Sequence, residues 1–205
     1  MNNVKKTVWL TELAVLIAII LLLEVTGLGM IKTFGLEMTI LQVPVIIGAI
    51  LLGPSGGAIL GTCFGLVSFW ECFGKSAFGT MLFSINPFFM FLVCVPTRAL
   101  MGWICGLIFR STDNRLQNTK ASIVPYISAS LGGALLNTIL FMGTLCACFY
   151  QTEFIQGFAD TLGTTNIFSF IVLFVGIQGL IEALVCAALG TAISKAVRHA
   201  LHRRT

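Results

Sequence analysis

The chain has 205 residues, of which 57% are hydrophobic and 10% charged, and it carries a formal net charge of +4. Soluble domains are about one quarter charged, so this composition, with a mean hydropathy of +0.99, excludes a water-soluble globular protein and reads as a single membrane domain over residues 1–205. The positive charge gathers near the chain ends and in one loop, which is a topology signal and not a nucleic-acid surface.

Residues 1–6 are polar, with Lys5 and Lys6 directly before the first apolar run. That run, residues 7–25, is long enough to span a bilayer, and no clean small-residue cleavage site follows it. It therefore reads as a retained first helix and not as a signal peptide. Ala14 and Ala18 lie four apart on one face of it, and small residues at that spacing let another helix approach closely. Residues 27–37 (GLGMIKTFGLE) are a glycine-containing interfacial connector able to fold over a pocket.

Residues 38–73 hold two apolar runs around Gly53-Pro54-Ser55-Gly56-Gly57. Gly supplies positive φ and Pro fixes φ near −65°, so this break predicts a turn and the stretch predicts a helical hairpin. After the break, Gly57, Gly61 and Gly65 recur every four residues and leave a smooth groove for a neighbouring backbone. Residues 74–87 form a second loop on the same side as the first, with Phe83, Ser84 and Asn86 as possible ligand contacts.

Residues 88–109 are the next span, carrying Pro96 and, near the middle, Arg98. The hydrophilic stretch 110–120 follows, then an apolar run over 121–150 with a central Asn137. A polar loop, 151–166, leads to the last span, 167–194, which contains Gln178 and Glu182, and the chain continues into a basic tail. The expected fold class is an all-α integral membrane protein with about six transmembrane helices in one compact bundle. In this arrangement Lys5, Lys6, Arg110, Arg115, Lys120, Lys195, Arg198, Arg203 and Arg204 share one side, which the positive-inside rule makes cytoplasmic together with both termini and the 53–57 turn.

Arg98 is the most informative residue. An arginine in mid-span costs at least about 2.5 kcal/mol unless it is paired or hydrated, so it faces a polar cavity or a partner. Glu182 is its natural partner, and a purely structural Arg98–Glu182 pair is the rival to a ligand-facing Arg98. Asn137 and Gln178 serve equally well as interhelical hydrogen bonds or as ligand contacts. Together these residues suit a small polar organic molecule and not a metal ion. The chain's seven cysteines include no C-x-x-C, and His199 and His202 lie in the tail, which argues against a zinc site. No H-E-x-x-H motif occurs and both histidines lie in the tail, which argues against an enzyme. The alternative to a ligand binder is a membrane scaffold or assembly subunit without a ligand of its own.

Three features together resemble the substrate-binding S component of an energy-coupling factor (ECF) transporter: Ala14 with Ala18, the run VPVIIGAILLGPSGGAILGTCFGLVS, and VPTRALMGWICGLIFR. The resemblance covers nearly the whole chain. It implies a multi-pass subunit of the bacterial plasma membrane that captures a vitamin or related micronutrient and works with a transmembrane coupling (T) subunit and two cytoplasmic ATPases. It implies no cofactor. It also implies that the Ala14/Ala18 face docks on the T subunit, and that a pocket near the outer side is closed by the connectors at 27–37 and 74–87. No G-x-x-x-x-G-K-[ST] loop occurs, so ATP hydrolysis belongs to the partners. Pro44, Gly53-Pro54 and Pro96-Thr97-Arg98 look closest to the pantothenate type, in which Arg98 would meet a carboxylate through a bidentate contact. Riboflavin, another vitamin or a modified purine stays open. On this resemblance Arg98, Asn137, Gln178, Glu182, Asn86 and Phe83 are the candidate substrate contacts.

Overall fold

The computed structural model describes residues 3–32, 37–115, 122–164 and 166–202. Helices α1 (Asn3–Val25), α2 (Gln42–Glu71), α4 (Pro87–Arg115), α5 (Val124–Phe149) and α7 (Ile167–His202) build the bundle. Short helices α3 (Ala77–Ile85) and α6 (Glu153–Thr161) sit in connectors, and strands β1 (Met30–Lys32) and β2 (Glu37–Thr39) form an antiparallel ribbon between α1 and α2. Among the described residues five helices are long and apolar enough to cross a membrane.

The second of these doubles back. Gly53 has φ 81° and ψ −173°, a backbone shape that side chains resist, and Pro54 follows it. In a straight helix Gly48 and Leu60 would stand about 18 Å apart. Instead, the Leu60 side chain occupies the space a side chain on Gly48 would need, and Ala49 lies against Gly57. Trp9 near the start of α1 donates from Nε1 to Leu52 O at the break (3.2 Å), while Lys75, just after α2, pairs with Glu24 near the end of α1 (2.6 Å). The two arms of α2 are therefore a hairpin, about 16 Å and 27 Å long. The first is shorter than the ~30 Å hydrocarbon core. The chain thus makes six passes with five spanning helices.

The glycines after the break seat α4. Gly57 meets Gly102, Gly61 meets the Arg98 carbonyl, Gly65 lies against Cys94 and Val95, and Gly106 of α4 meets Pro54, which fixes the two helices antiparallel and nearly in backbone contact. α5 returns beside α4, and α7 runs beside α5. At its far end Arg198 donates to Asp113 Oδ2 of α4 (3.0 Å) and to the Tyr126 hydroxyl of α5 (3.4 Å). The start of α1, the hairpin break, the end of α4 and the end of α7 thus share one end of the bundle. The ribbon, α3 and α6 occupy the other.

The last span is not one continuous helix. Gly176, with φ 44° and ψ −139°, breaks α7 into a short apolar segment, Ile167–Gly176, and a spanning one, Gly179–Ala200. Ser76 and Thr152 cap α3 and α6 by accepting hydrogen bonds from Gly79 N and Ile155 N, so the connectors at 74–87 and 151–166 each contain a short helix.

Candidate functional site

A cavity of about 120 Å³ opens in the half of the bundle away from the chain termini. One water needs roughly 10–15 Å³ of such space, so the cavity has room for a small organic molecule. α2 contributes Phe64, Ser68 and Glu71 to its wall, α4 Met90 and Arg98, α5 Asn137, Thr138 and Phe141, and α7 Val175, Gly179 and Glu182. Thr39 of β2 and Ser76, Phe78 and Gly79 around the start of α3 close it from the connector side. The break at Gly176 falls between Val175 and Gly179, the turn of α7 that meets the cavity.

Arg98 is 6% exposed. Its Nη1 donates to the carbonyls of Cys94 (3.1 Å) and Val93 (3.4 Å), and its guanidinium carbon lies 4.7 Å from the centre of the Phe64 ring and 4.9 Å from that of Phe141. Two aromatic faces and two carbonyls hold the cation in place, and each desolvated cation–π contact is worth up to about 2 kcal/mol. Nε has no partner among the described residues. An arginine held this way presents unused donors to whatever fills the cavity, in the planar geometry that matches a carboxylate.

Glu182 lines the same cavity but is not within ion-pairing distance of Arg98. Its Oε1 accepts instead from Gln42 Nε2 (2.6 Å), and the same amide reaches Cys186 Sγ (3.1 Å). Gln42, fully buried at the start of α2, thus orients the acid from across the bundle. Asn137 is buried with its Oδ1 unpartnered among the described residues, and Glu71 is buried in the cavity wall. The cavity therefore combines one cation, two acids, an amide and hydroxyls against an aromatic lining. No group of three or more His, Cys, Asp or Glu able to hold a metal ion stands together among the described residues.

The structure brings Arg98, Asn137 and Glu182 together in the wall of this cavity. Asn86 and Phe83 lie outside the lining. Asn86 Oδ1 accepts from Phe88 N and Phe89 N (3.1 Å each) and caps α4, while Phe83 packs in an aromatic cluster with Phe73 (4.6 Å between ring centres) and Phe69 (5.7 Å). The Gln178 side chain lies outside the described residues, as do residues 33–36 of the first connector. The sequence reading missed Gln42, Phe64, Ser68, Glu71 and Phe141. Phe64, Ser68 and Glu71 recur at helical spacing on one face of α2, with a serine and an acid inside an apolar run, and that pattern was the available signal.

Ala14 and Ala18 are exposed on the outer face of α1, while Leu13, Leu16 and Ile20 on the opposite face pack against α2. A cavity for one small polar molecule, in a bundle with a free small-residue face, matches a known arrangement. The family model described as "ECF transporter, substrate-specific component" matches residues 9–194.

The chain belongs to this family.

It is 35% identical over 146 residues to the pantothenate transporter PanT of Leuconostoc mesenteroides, covering 67% of each chain. It is 30% identical over 152 residues to the pantothenic acid transporter PanT of Lactococcus lactis subsp. cremoris, covering 68% of this chain and 73% of that one. This S component is accordingly a multi-pass membrane subunit that binds substrate for an ECF transporter, and not an enzyme. Its family works with a T subunit and ATPases.

Proposed function

We propose that this S component captures pantothenate, and that Arg98 receives its carboxylate. The observation that carries the reading is the Arg98 guanidinium in the cavity wall, held by Phe64, Phe141 and two carbonyls and not by a carboxylate of the described residues. Both curated relatives named above carry pantothenate in their names. Pantothenate has a carboxylate at one end, a central amide and two hydroxyls at the other. Asn137 suits the amide, and Glu182, oriented by Gln42, accepts from a hydroxyl. A flat ring system such as riboflavin leaves Arg98 without a carboxylate to neutralise. The finer assembly belongs to the same reading: Ala14 and Ala18 dock on the T subunit, and the cavity end faces outward.

The test is ligand-dependent thermal stabilisation of the purified protein with a vitamin panel. A ligand at one hundred times its Kd stabilises the folded state by about 2.7 kcal/mol. Pantothenate is expected to raise the melting temperature and riboflavin to leave it unchanged. A shift with riboflavin and none with pantothenate overturns the assignment.

A further inference from the structure

The stretch of α2 that packs against α4 touches Arg98 in three different ways within about one helical turn. Gly61 lies so close to α4 that a methyl group there would overlap the Arg98 carbonyl oxygen and come within 3.1 Å of Ala99 Cα. Gly65 lies against the turn before, where a methyl would stand 2.8 Å from Cys94 O and 2.7 Å from Val95 Cα. Cys94 O is the nearer of the two carbonyls that accept from Arg98 Nη1. Between the two glycines, the buried Phe64 places its ring 4.7 Å from the guanidinium carbon. One turn of α2 thus sets the main chain of Arg98, the carbonyl that orients its guanidinium, and an aromatic surface beside it.

We propose that Gly61 and Gly65 are positioning residues for the Arg98 guanidinium, and that they set the preference of the cavity for a carboxylate over a neutral group. This deepens the reading of Arg98 as the carboxylate contact and rests on it. The atoms that an added methyl would meet at Gly61 and Gly65 belong to backbone, so no side chain can swing aside and α4 itself must move. A binding group holds its geometry to about half an ångström, and a fork of two parallel hydrogen bonds to a carboxylate tolerates little more. A shift of α4 against α5 and α7 takes Arg98 out of register with Asn137 and Glu182 on the opposite walls. A ligand group that does not use Arg98 is indifferent to that shift.

Gly57 is an internal control. It belongs to the same stripe, and a methyl there overlaps a backbone oxygen just as closely, but the oxygen is that of Gly102, one turn past Arg98. The measurement is the Kd of the purified full-length protein for pantothenate and for pantothenol, which has a neutral hydroxymethyl in place of the carboxylate. Wild type, Gly57→Ala, Gly61→Ala, Gly65→Ala and Arg98→Lys are compared. For Gly61→Ala the pantothenate affinity is expected to fall at least about tenfold with pantothenol affinity changing less than about threefold, while Gly57→Ala moves both ligands together. Gly65→Ala, a milder overlap, carries the same test if Gly61→Ala does not fold. If Arg98→Lys erases the preference for the carboxylate and the two glycine variants do not, the positioning role is overturned and the Arg98 reading stands. If Arg98→Lys leaves the preference intact, the Arg98 reading fails and the positioning role falls with it.

Discussion

At Arg98 the balance of forces favours a waiting binding group over a structural ion pair. A pair with Glu182 would neutralise both charges, yet Glu182 is taken by Gln42 and Arg98 by two carbonyls and two rings. Arg98→Lys keeps the charge and loses the planar fork and its stacking, so pantothenate affinity is expected to fall about tenfold or more. Arg98→Ala is expected to cost about 2–5 kcal/mol of binding, because the anion then enters a low-dielectric site without its counter-charge. Isothermal titration checks both, and full affinity in Arg98→Ala sinks the assignment. Stability separates the rival account. With no direct contact between the two residues, the Arg98→Ala/Glu182→Ala double mutant is expected to be no more stable in the apo-protein than the less stable single mutant. Rescue of one by the other in a thermal melt would reinstate a structural pair. Arg98, Asn137 and Glu182 were legible because charge or amide inside an apolar helix has few inexpensive explanations. Asn86 was misleading: a polar side chain at a loop–helix junction more readily caps the helix than faces a ligand. Phe64 and Phe141 were invisible as site residues because an aromatic in an apolar run looks like core until its neighbour proves to be a cation.

The elements carried stronger signals where backbone chemistry was involved. Gly53-Pro54 predicted the hairpin, since few other dipeptides break a helix so firmly, and the Gly57–Gly61–Gly65 period predicted the close neighbour that proved to be α4. The break at Gly176 was not legible, because a lone glycine in an apolar span resembles ordinary packing. α3 and α6 were hidden for a different reason. Each is nine residues, too short to show a clear helical period. The face of α1 bearing Ala14 and Ala18 is exposed while Leu13, Leu16 and Ile20 hold the helix to α2. Replacing both alanines with Leu is therefore expected to abolish uptake in cells and leave pantothenate affinity and melting temperature of the isolated protein within error. Loss of binding in that variant would mean the face packs internally. The Lys75–Glu24 bridge, which ties the loop after α2 to the end of α1, is a lesser constraint. The hydrogen bond to Glu24 raises the Lys75 pKa above its usual 10.5, so the contribution is complete below that value and is lost as pH climbs through the raised one. Because Lys75 is largely exposed, Lys75→Ala is expected to change stability by less than about 1 kcal/mol across the neutral range, measured by thermal melts, and a larger effect would make the bridge a true latch.

At the scale of the whole molecule the six passes put polarity and charge at opposite ends. Lys6 at the start of α1, Arg110 and Arg115 at the end of α4, and Lys195 and Arg198 near the end of α7 share the end that carries the hairpin break. The cavity end holds Lys75 together with Glu24, Glu71, Glu153 and Asp160. By the positive-inside rule the terminal end is expected in the cytoplasm and the cavity is expected to face outward, the direction a capture subunit needs. Fusions of a cytoplasm-active fluorescent protein and of an export-dependent phosphatase to each terminus test this. Fluorescence without phosphatase activity is expected at both. A split result, one terminus inside and one outside, contradicts the fold itself, because the helix that begins the chain and the helix that ends it lie at one end of the bundle. Phosphatase activity at both leaves the fold intact and reverses the protein in the membrane. Arg98 would then face the cytoplasmic solute pool, and capture from outside through this cavity would be physically impossible.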